Sequence, residues 1–179
     1  GFFPPWERNQ RYYIENTLEG VDSPGEWYLD RKTGLLTYYP VPGETVDEMD
    51  FVASRLKVTL VRFEGNSEGG KFIEYLNLKG LSFQHADARL DKGKIKFWGQ
   101  AAYLQEAAIM ATGLRHSNIE DCEVAHVGEH GIWLRKGCQD NRISRCSIYD
   151  LGASGIRIGE GDTPANQAVS AERNVIDNY

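Results

Sequence analysis

Three titratable side chains recur at one position of a repeated pattern in the second half of the chain. The pattern is carried by three segments that align without gaps: NLKGLSFQHA (77–86), NIEDCEVAHV (118–127) and RISRCSIYDL (142–151). One column of this alignment holds His85, His126 and Asp150. If the segments pair as neighbouring strands, these side chains stack about 5 Å apart. Because clustered titratable groups on one face of a scaffold often mark a functional site, we predict that the three residues belong to one.

A second carboxylate follows Asp150 at the far end of the next predicted strand. In DLGASGIRIGE (150–160), a glycine corner separates Asp150 from the strand that carries Arg157 and leads to Glu160. Glycoside hydrolysis requires two carboxyl groups, one as general acid and the other as nucleophile or base. We predict Asp150 and Glu160 as this catalytic pair. Glu123, on an earlier strand, is interpreted as a surface charge.

The other polar residues around this segment are predicted to bind substrate or to tune the carboxyl groups. They are His126, Arg157, His85 and Glu129, the last of which lies in the corner VGEHG (127–131). A nearby imidazole or guanidinium group changes how readily a carboxyl group holds its proton. The same residues allow a lyase reaction, in which His126 removes a proton and Arg157 neutralises the carboxylate of a uronate.

Apolar residues repeat in register with the polar column. Three apolar columns, each in chain order, are Leu78, Ile119 and Ile143; Leu81, Cys122 and Cys146; and Phe83, Val124 and Ile148. The offsets are 41 and then 24 residues, and GIWL (131–134) recurs as GIRI (155–158), again after 24 residues. We predict insertions at about 87–107 and 160–170 between the repeats, and a further turn that begins at NVIDNY (174–179).

This periodicity predicts an all-β fold, a right-handed parallel β-helix. Short strands without a helical period, separated by glycine corners and repeated at a fixed interval, are typical of a solenoid. An antiparallel sandwich, the alternative, would not require the repeated register. Terminal coils of a solenoid need caps. We therefore expect the open C-terminal rung to be covered by remaining coils of the same protein, of which this chain would be a fragment, or by a capping partner.

The first 55 residues lack the repeat and are rich in aromatic side chains. GEWYLD (25–30) and LLTYYP (35–40) alternate as strands around the turn RKTG, which predicts a β-hairpin. ENTLEGVD (15–22) is predicted as a short helix. We interpret the aromatic residues as a small hydrophobic core rather than a sugar-stacking platform. The sequence thus predicts an aromatic-rich subdomain over 1–55 and β-helix coils over 56–179.

Composition narrows the classes of partner. The net charge is −6 and no run of lysine or arginine is present, which disfavours nucleic acid and anionic membranes and fits a neutral or weakly charged substrate. No apolar stretch approaches the ~20 residues that cross a bilayer. Cys122, Cys138 and Cys146 are predicted to be small buried residues rather than a disulfide set. We predict neither a cofactor nor a metal site.

Several of these segments resemble the right-handed parallel β-helix glycoside hydrolases. They are RYYIENTLEGVDSPGEWYLDRKTGLLTYYP, LSFQHA, CEVAHVGEHGIWLRKGC and IYDLGASGIRIGE, with PGEWYLD and DLGASGIRIGE the most specific parts. Among these hydrolases, the segments resemble the β-xylosidase-like family 120 and the fucosidase/xylanase-like family 141. The resemblance implies that carboxylates on the helix face hydrolyse a polysaccharide or oligosaccharide. Asp150 matches the acid of the DLGxxG corner, and Glu160 matches the acid of RIGE.

The same resemblance implies an inserted β-sandwich-like subdomain, which fits residues 1–55, and a catalytic domain longer than this chain. A polysaccharide substrate implies a secreted or periplasmic bacterial protein. Two other functions stay open at this point. One is a non-catalytic carbohydrate-binding or adhesin-like β-helix, which would lack a carboxylate pair within ~10 Å; the other is a polysaccharide lyase. A second catalytic carboxylate on a coil beyond Tyr179 is the alternative to Glu160.

Overall fold

A computed structural model describes residues 9, 11, 14–56, 59–88, 105–161 and 163–177 of the chain. The chain divides into two compact units, Gly1–Phe51 and Val52–Tyr179. Most of the insertion predicted at 87–107 lies outside the described residues. The segment predicted as the second insertion contains a 3-10 turn, Gln167–Val169. Among the described residues, no helix combines the length and hydropathy that a membrane span requires.

The secondary structure consists of short strands and three single 3-10 turns in the described ranges. The strands in chain order are β1 (Trp27–Asp30), β2 (Leu35–Tyr38), β3 (Val61–Glu64), β4 (Ile73–Glu74), β5 (Asn77–Lys79), β6 (Ser82–Gln84), β7 (Ala107–Thr112), β8 (Leu114–Arg115), β9 (Asn118–Glu120), β10 (Glu123–Val127), β11 (His130–Leu134), β12 (Arg142–Ser144), β13 (Ser147–Leu151), β14 (Ile156–Ile158) and β15 (Val175–Asp177). The 3-10 turns are Leu18–Gly20, Val46–Glu48 and Gln167–Val169.

The first unit contains the predicted hairpin. β1 and β2 pair antiparallel, with Trp27 opposite Tyr38, and Gly34 has the positive φ of 75° that the turn requires. The predicted short helix is a single 3-10 turn. Tyr38 packs edge-to-face on Phe51, with ring centroids 6.3 Å apart. No described residue of this unit is buried, so the described aromatic residues pack only partially and do not form a closed core.

The second unit is a parallel β-helix, which confirms the predicted solenoid. Three parallel sheets form its sides, and neighbouring strands of each sheet come from successive coils. Their strand orders are β13-β10-β6, β14-β11-β7-β3 and β15-β12-β9-β5. The registers match the apolar columns of the sequence, because Ile119 lies opposite both Leu78 and Ile143, and Val124 lies opposite both Phe83 and Ile148.

The inward-facing residues of all three sheets form one hydrophobic core. Ile109, Val124, Ile132 and Leu134 are fully or almost fully buried in it. Side chains alternate between the two faces of a strand, so this inward stripe leaves the intervening residues on the outer faces. The three cysteines are free and buried, as predicted, and no described cysteine forms a disulfide.

A buried asparagine ladder ties successive coils together. Asn141 donates from Nδ2 to the carbonyl oxygen of Leu114 at 2.8 Å and to Oδ1 of Asn174 at 2.9 Å. Its own Oδ1 accepts from the backbone nitrogen of Ser117 at 3.1 Å. A buried amide is tolerated when its donors and acceptor are paired. The ladder therefore satisfies backbone groups at a bend of the coil, where the strand ladder is interrupted.

Candidate functional site

The predicted polar column forms a continuous stack at one corner of the solenoid. The imidazole rings of His85 and His126 lie parallel, at an interplanar angle of 9° and a centroid separation of 5.1 Å. On the other side of His126, its Nδ1 lies 2.6 Å from Oδ2 of Asp150. The register of β6, β10 and β13 produces this arrangement, because it places the equivalent residue of each coil beside the next.

The backbone at this corner has an uncommon conformation. His85, His126 and Asp150 have φ values of 60°, 53° and 50°. Aspartate, asparagine and histidine are enriched among the non-glycine residues that adopt this left-handed region. The bend turns the chain toward the next sheet and leaves the side chain on the outside of the corner. The residue types that the fold accepts here are thus also ones that can exchange protons.

His126 and Asp150 form a histidine–carboxylate pair that faces solvent. Their side chains are 40% and 69% exposed, respectively. The hydrogen bond made by one ring nitrogen decides which tautomer a neutral imidazole adopts. With Nδ1 donating to the carboxylate, Nε2 carries the free lone pair. Such a pair can orient a carboxylate, accept a proton at Nε2 or donate one from the imidazolium form.

Next to the pair lies a hydrogen-bonded group that we call the tyrosine group: Ser82, Gln84, Glu123 and Tyr149. Oε2 of Glu123 accepts from Ser82 Oγ and from Gln84 Nε2, both at 2.6 Å, and Oε1 accepts from the Tyr149 hydroxyl at 2.6 Å. The hydrogen bonds from Ser82, Tyr149 and Gln84 hold the pKa of Glu123 below its usual value. Donation to Glu123 raises the pKa of Tyr149.

The tyrosine group contacts the histidine–carboxylate pair directly. The Tyr149 ring meets the His126 ring edge-to-face, at 84° and a centroid distance of 5.7 Å. Glu123, which the sequence pattern predicts to be a surface charge, belongs to this group, and so does Tyr149, which the pattern does not single out. The alternation of side chains along the strands could have revealed the group. Ser82 and Glu123 share one outward column, and Gln84 and Tyr149 lie on either side of Ala125 in the next outward column.

A second polar group lies beyond the glycine corner, on the sheet that contains β11 and β14. Two guanidinium groups cover the ring of Trp133, which is only 7% exposed. The guanidinium carbon of Arg157 lies 3.8 Å from the ring centroid, and that of Arg135 lies 4.6 Å from it. Its indole nitrogen donates to the carbonyl oxygen of Gly159 at 2.7 Å. Arg135 Nε donates to Oε1 of Glu160 at 2.7 Å. Burial lowers the pKa of Arg157, partly offset by the charge of Glu160.

Among the described residues, these two polar groups lie on the outer faces of two adjoining sheets. A family model described as a right handed beta helix region matches residues 62–179, about two thirds of the chain. The chain belongs to the right-handed β-helix family. No curated protein and no solved structure matches it. Right-handed β-helices occur in hydrolases, lyases and proteins that are not enzymes, so the family defines the fold and not the reaction.

Five of the six predicted site residues of the β-helix fall into two sets. His85, His126 and Asp150 lie together at the corner, whereas Arg157 and Glu160 lie with Trp133 and Arg135 on the neighbouring sheet. The two predicted catalytic carboxylates thus contact different partners, Asp150 through His126 and Glu160 through Arg135. Their action as a catalytic pair stays a prediction.

Glu129 is placed differently from the other predicted binding residues, because its side chain is buried, with 4% exposed. It lies in the tight corner between β10 and β11, where its carbonyl oxygen accepts from the backbone nitrogen of Ala153 at 3.2 Å. The adjacent His130 is also buried and accepts at Nδ1 from the backbone nitrogen of Ser154 at 3.0 Å. A substrate contact by Glu129 stays a prediction.

A metal centre and an interior cavity are two other kinds of site that a β-helix can contain. Within the described ranges, no group of three or more histidine, cysteine or acidic side chains is arranged to hold a metal ion. A cavity of about 310 Å³ is lined by Ile143, Ile148, Ile156 and Ile176, among others. These residues face the interior of the last described coils. The cavity is therefore part of the apolar interior of the β-helix, not a polar binding site.

Proposed function

We propose that this β-helix is a carbohydrate-active domain of the glycoside hydrolase class, acting on a polysaccharide or oligosaccharide. The observation that carries the proposal is the 2.6 Å contact between His126 Nδ1 and Asp150 Oδ2 at an exposed corner. The contact orients a carboxylate toward solvent on the long side of a solenoid, where an extended glycan chain can lie. The resemblance of the DLGASGIRIGE segment to β-helix glycoside hydrolases supports the same reading.

In this proposal Asp150 is the catalytic carboxylate that acts as nucleophile or base, and His126 orients it. Glu160, which Arg135 holds at 2.7 Å, is the proposed second carboxyl group. His85, Glu129 and Arg157 are the proposed substrate contacts. Glycoside hydrolysis requires two carboxyl groups that flank the scissile bond, and the proposal assigns these roles to Asp150 at the corner and Glu160 on the neighbouring sheet.

The proposal extends to the surroundings of the domain. In the last described strand, Ile176 continues the inward-facing column of Ile119 and Ile143, and it is an exposed apolar side chain. Such an edge fits a further coil of the same protein or a capping partner, because each repeat of a solenoid buries its apolar face against a neighbour. A polysaccharide substrate supports a secreted or periplasmic bacterial setting, which is part of the proposal.

The test compares two aspartates that share the same backbone conformation. Asp150 and Asp140 both lie at coil corners with positive φ, 50° and 57°, but Asp140 is paired with Arg173 at a different corner. Both are replaced by asparagine, which tolerates this conformation. The release of reducing ends and the absorbance of unsaturated products are measured on a panel of neutral polysaccharides, polygalacturonate and aryl glycosides. We expect Asp150→Asn to lower kcat by about 10²-fold or more and Asp140→Asn to behave like the wild type.

Three outcomes would contradict the proposal. Retention of full hydrolytic activity by Asp150→Asn on every cleaved substrate removes Asp150 from the catalytic role. Absorbance from an unsaturated product, in place of simple hydrolysis, identifies a lyase. Binding of glycans with no cleavage by the intact protein identifies a non-catalytic binding domain.

A further inference from the structure

Tyr149 is an exposed aromatic residue held rigidly beside the proposed catalytic carboxylate. It immediately precedes Asp150 in β13, and 46% of its surface is exposed. Its hydroxyl donates to Glu123 Oε1 at 2.6 Å, and its ring abuts His126 at 5.7 Å. An outward tyrosine on a strand can adopt several rotamers, so these two contacts at opposite parts of the side chain restrict it to one.

The partner that holds Tyr149 is itself immobilised. Glu123 is fixed through its second oxygen by Ser82 and Gln84 on the neighbouring strand β6. Ala125, which lies between Gln84 and Tyr149 in the register, has a side chain small enough to let both neighbours reach Glu123. Three strands from three coils thus cooperate to set the angle of one ring. Preorganised aromatic side chains bind with little loss of conformational entropy.

We propose that Tyr149 forms the wall of a sugar-binding subsite that takes a neutral pyranose ring, an inference that rests on the proposed carbohydrate function. The apolar C–H face of the pyranose packs on the exposed tyrosine ring. Its hydroxyl groups reach the acceptors on either side, the carboxylates of Glu123 and Asp150. Tyr149 is a binding residue in this role, because its hydroxyl is already committed to Glu123.

The charges around Tyr149 select the class of sugar. The groups that face it are the carboxylates of Glu123 and Asp150 and the imidazole of His126, with His85 stacked behind. The guanidinium groups of Arg135 and Arg157 lie over Trp133 on the neighbouring sheet. Two carboxylates beside the ring repel the carboxylate of a uronic acid. The subsite therefore favours neutral glycans over polyuronates.

The test uses affinity electrophoresis of the intact protein in native gels that contain xylan, hydroxyethyl cellulose, galactomannan or polygalacturonate. Retardation by each polymer gives a dissociation constant that does not depend on cleavage. Tyr149→Ala removes the ring, and Tyr149→Phe retains the ring but loses the bond to Glu123. Tyr75→Ala is the matched control, because Tyr75 is also an exposed tyrosine that contacts a histidine, His116, with ring centroids 5.3 Å apart.

We expect at least one neutral polymer to retard the wild type more than polygalacturonate does. Tyr149→Ala should weaken that binding about tenfold, Tyr149→Phe about threefold, and Tyr75→Ala by less than about twofold. The proposal is overturned if no neutral polymer retards the wild type, if polygalacturonate binds most tightly, or if Tyr149→Ala binds as well as the wild type.

The same measurements separate this inference from the proposed hydrolase function. If retardation depends on Tyr149 but the protein cleaves no glycan, the proposed subsite is supported and the proposed hydrolase function is contradicted. If cleavage depends on Asp150 but Tyr149→Ala leaves the dissociation constant and KM unchanged, the hydrolase function is supported and the subsite is contradicted.

Discussion

His126 and Asp150 are 24 residues apart in the chain, and one turn of the solenoid brings Nδ1 of the imidazole to 2.6 Å from Oδ2 of the carboxylate. Both residues have the left-handed backbone conformation, so the corner that bends the coil also positions the side chains. The contact sets the direction of the carboxylate and the tautomer of the ring together. The tautomer of the ring can be measured directly.

Removal of the Asp150 carboxylate should change the tautomer of His126. In the wild type, the neutral ring is expected to carry its proton on Nδ1, because Asp150 is the acceptor. Asp150→Gly keeps the positive φ without strain and removes the acceptor, so the Nε2-protonated form should increase. Long-range ¹H–¹⁵N spectra of the imidazole distinguish the two tautomers. Asp140→Gly serves as control and should leave the His126 signals unchanged; an Nε2-protonated ring in the wild type would contradict the assigned hydrogen bond.

The pKa of Tyr149 should fall when Glu123 loses its charge. Tyr149 donates to an ionised carboxylate, which favours the protonated phenol and raises its pKa. In Glu123→Gln the acceptor is neutral, so the pKa should return toward the ordinary value of about 10. The ¹³Cζ shift of labelled tyrosine, followed against pH, reports the change.

Tyr38 provides an internal control for this titration. Its hydroxyl donates to Glu44 Oε2 at 2.6 Å, and this hydrogen bond raises the pKa of Tyr38 in the same way. Glu123→Gln should leave the Tyr38 titration unaltered, whereas Glu44→Gln should lower the pKa of Tyr38 alone. A Tyr149 titration that is identical in the wild type and in Glu123→Gln would mean that the Tyr149–Glu123 hydrogen bond does not persist in solution.

The fold could be predicted because its stabilising residues repeat in the sequence. Parallel stacking places identical columns in register, so Ile119 between Leu78 and Ile143 is visible both as a sequence alignment and as strand pairing. The polar corner followed from the same register. His85, His126 and Asp150 occupy one column, and neighbouring strands bring members of one column into contact.

The remainder of the site depends on information that spacing does not contain. Glu123 looks like a surface charge in its own segment, since its three hydrogen-bond donors come from two other strands. The separation of Asp150 from Glu160 depends on the glycine corner between them. The backbone angles of that corner decide which sheet receives the second acid, and they cannot be derived from a count of residues.

Gly152 should be far less tolerant of substitution than Gly161, although both lie in exposed turns. A Cβ added at Gly152 would collide with the carbonyl oxygen of Gly128 on the preceding coil, whereas one added at Gly161 meets nothing within 4 Å. Because the contact is with backbone, the coils must separate to accept it. We expect Gly152→Ala to lower the free energy of unfolding by about 3 kcal/mol and Gly161→Ala to change it by less than about 0.5 kcal/mol.

Urea denaturation followed by tryptophan fluorescence measures both glycine variants under the same conditions. A similar midpoint for Gly152→Ala and Gly161→Ala would show that the corner is wider than the structure has it. If Gly152→Ala loses less unfolding free energy than expected and the denaturant slope also changes, the coil frays locally before it unfolds.

The three cysteines should be unreactive while the β-helix is folded. All are free and buried, and burial raises the pKa of Cys138 to about 11, so almost none of it is thiolate near neutral pH. Ellman's reagent should therefore label no thiol in the native protein and three after denaturation. Ser147→Cys, at an exposed position beside Cys146, should add one thiol that reacts at once and so confirms that the reagent reaches this face. The Sγ atom of Cys138 donates to the carbonyl oxygen of Ala111 inside the core, so the reagent can reach it only when the coils open. Rapid labelling of Cys138 in the native wild type would therefore mean that the coils open on the timescale of the reaction.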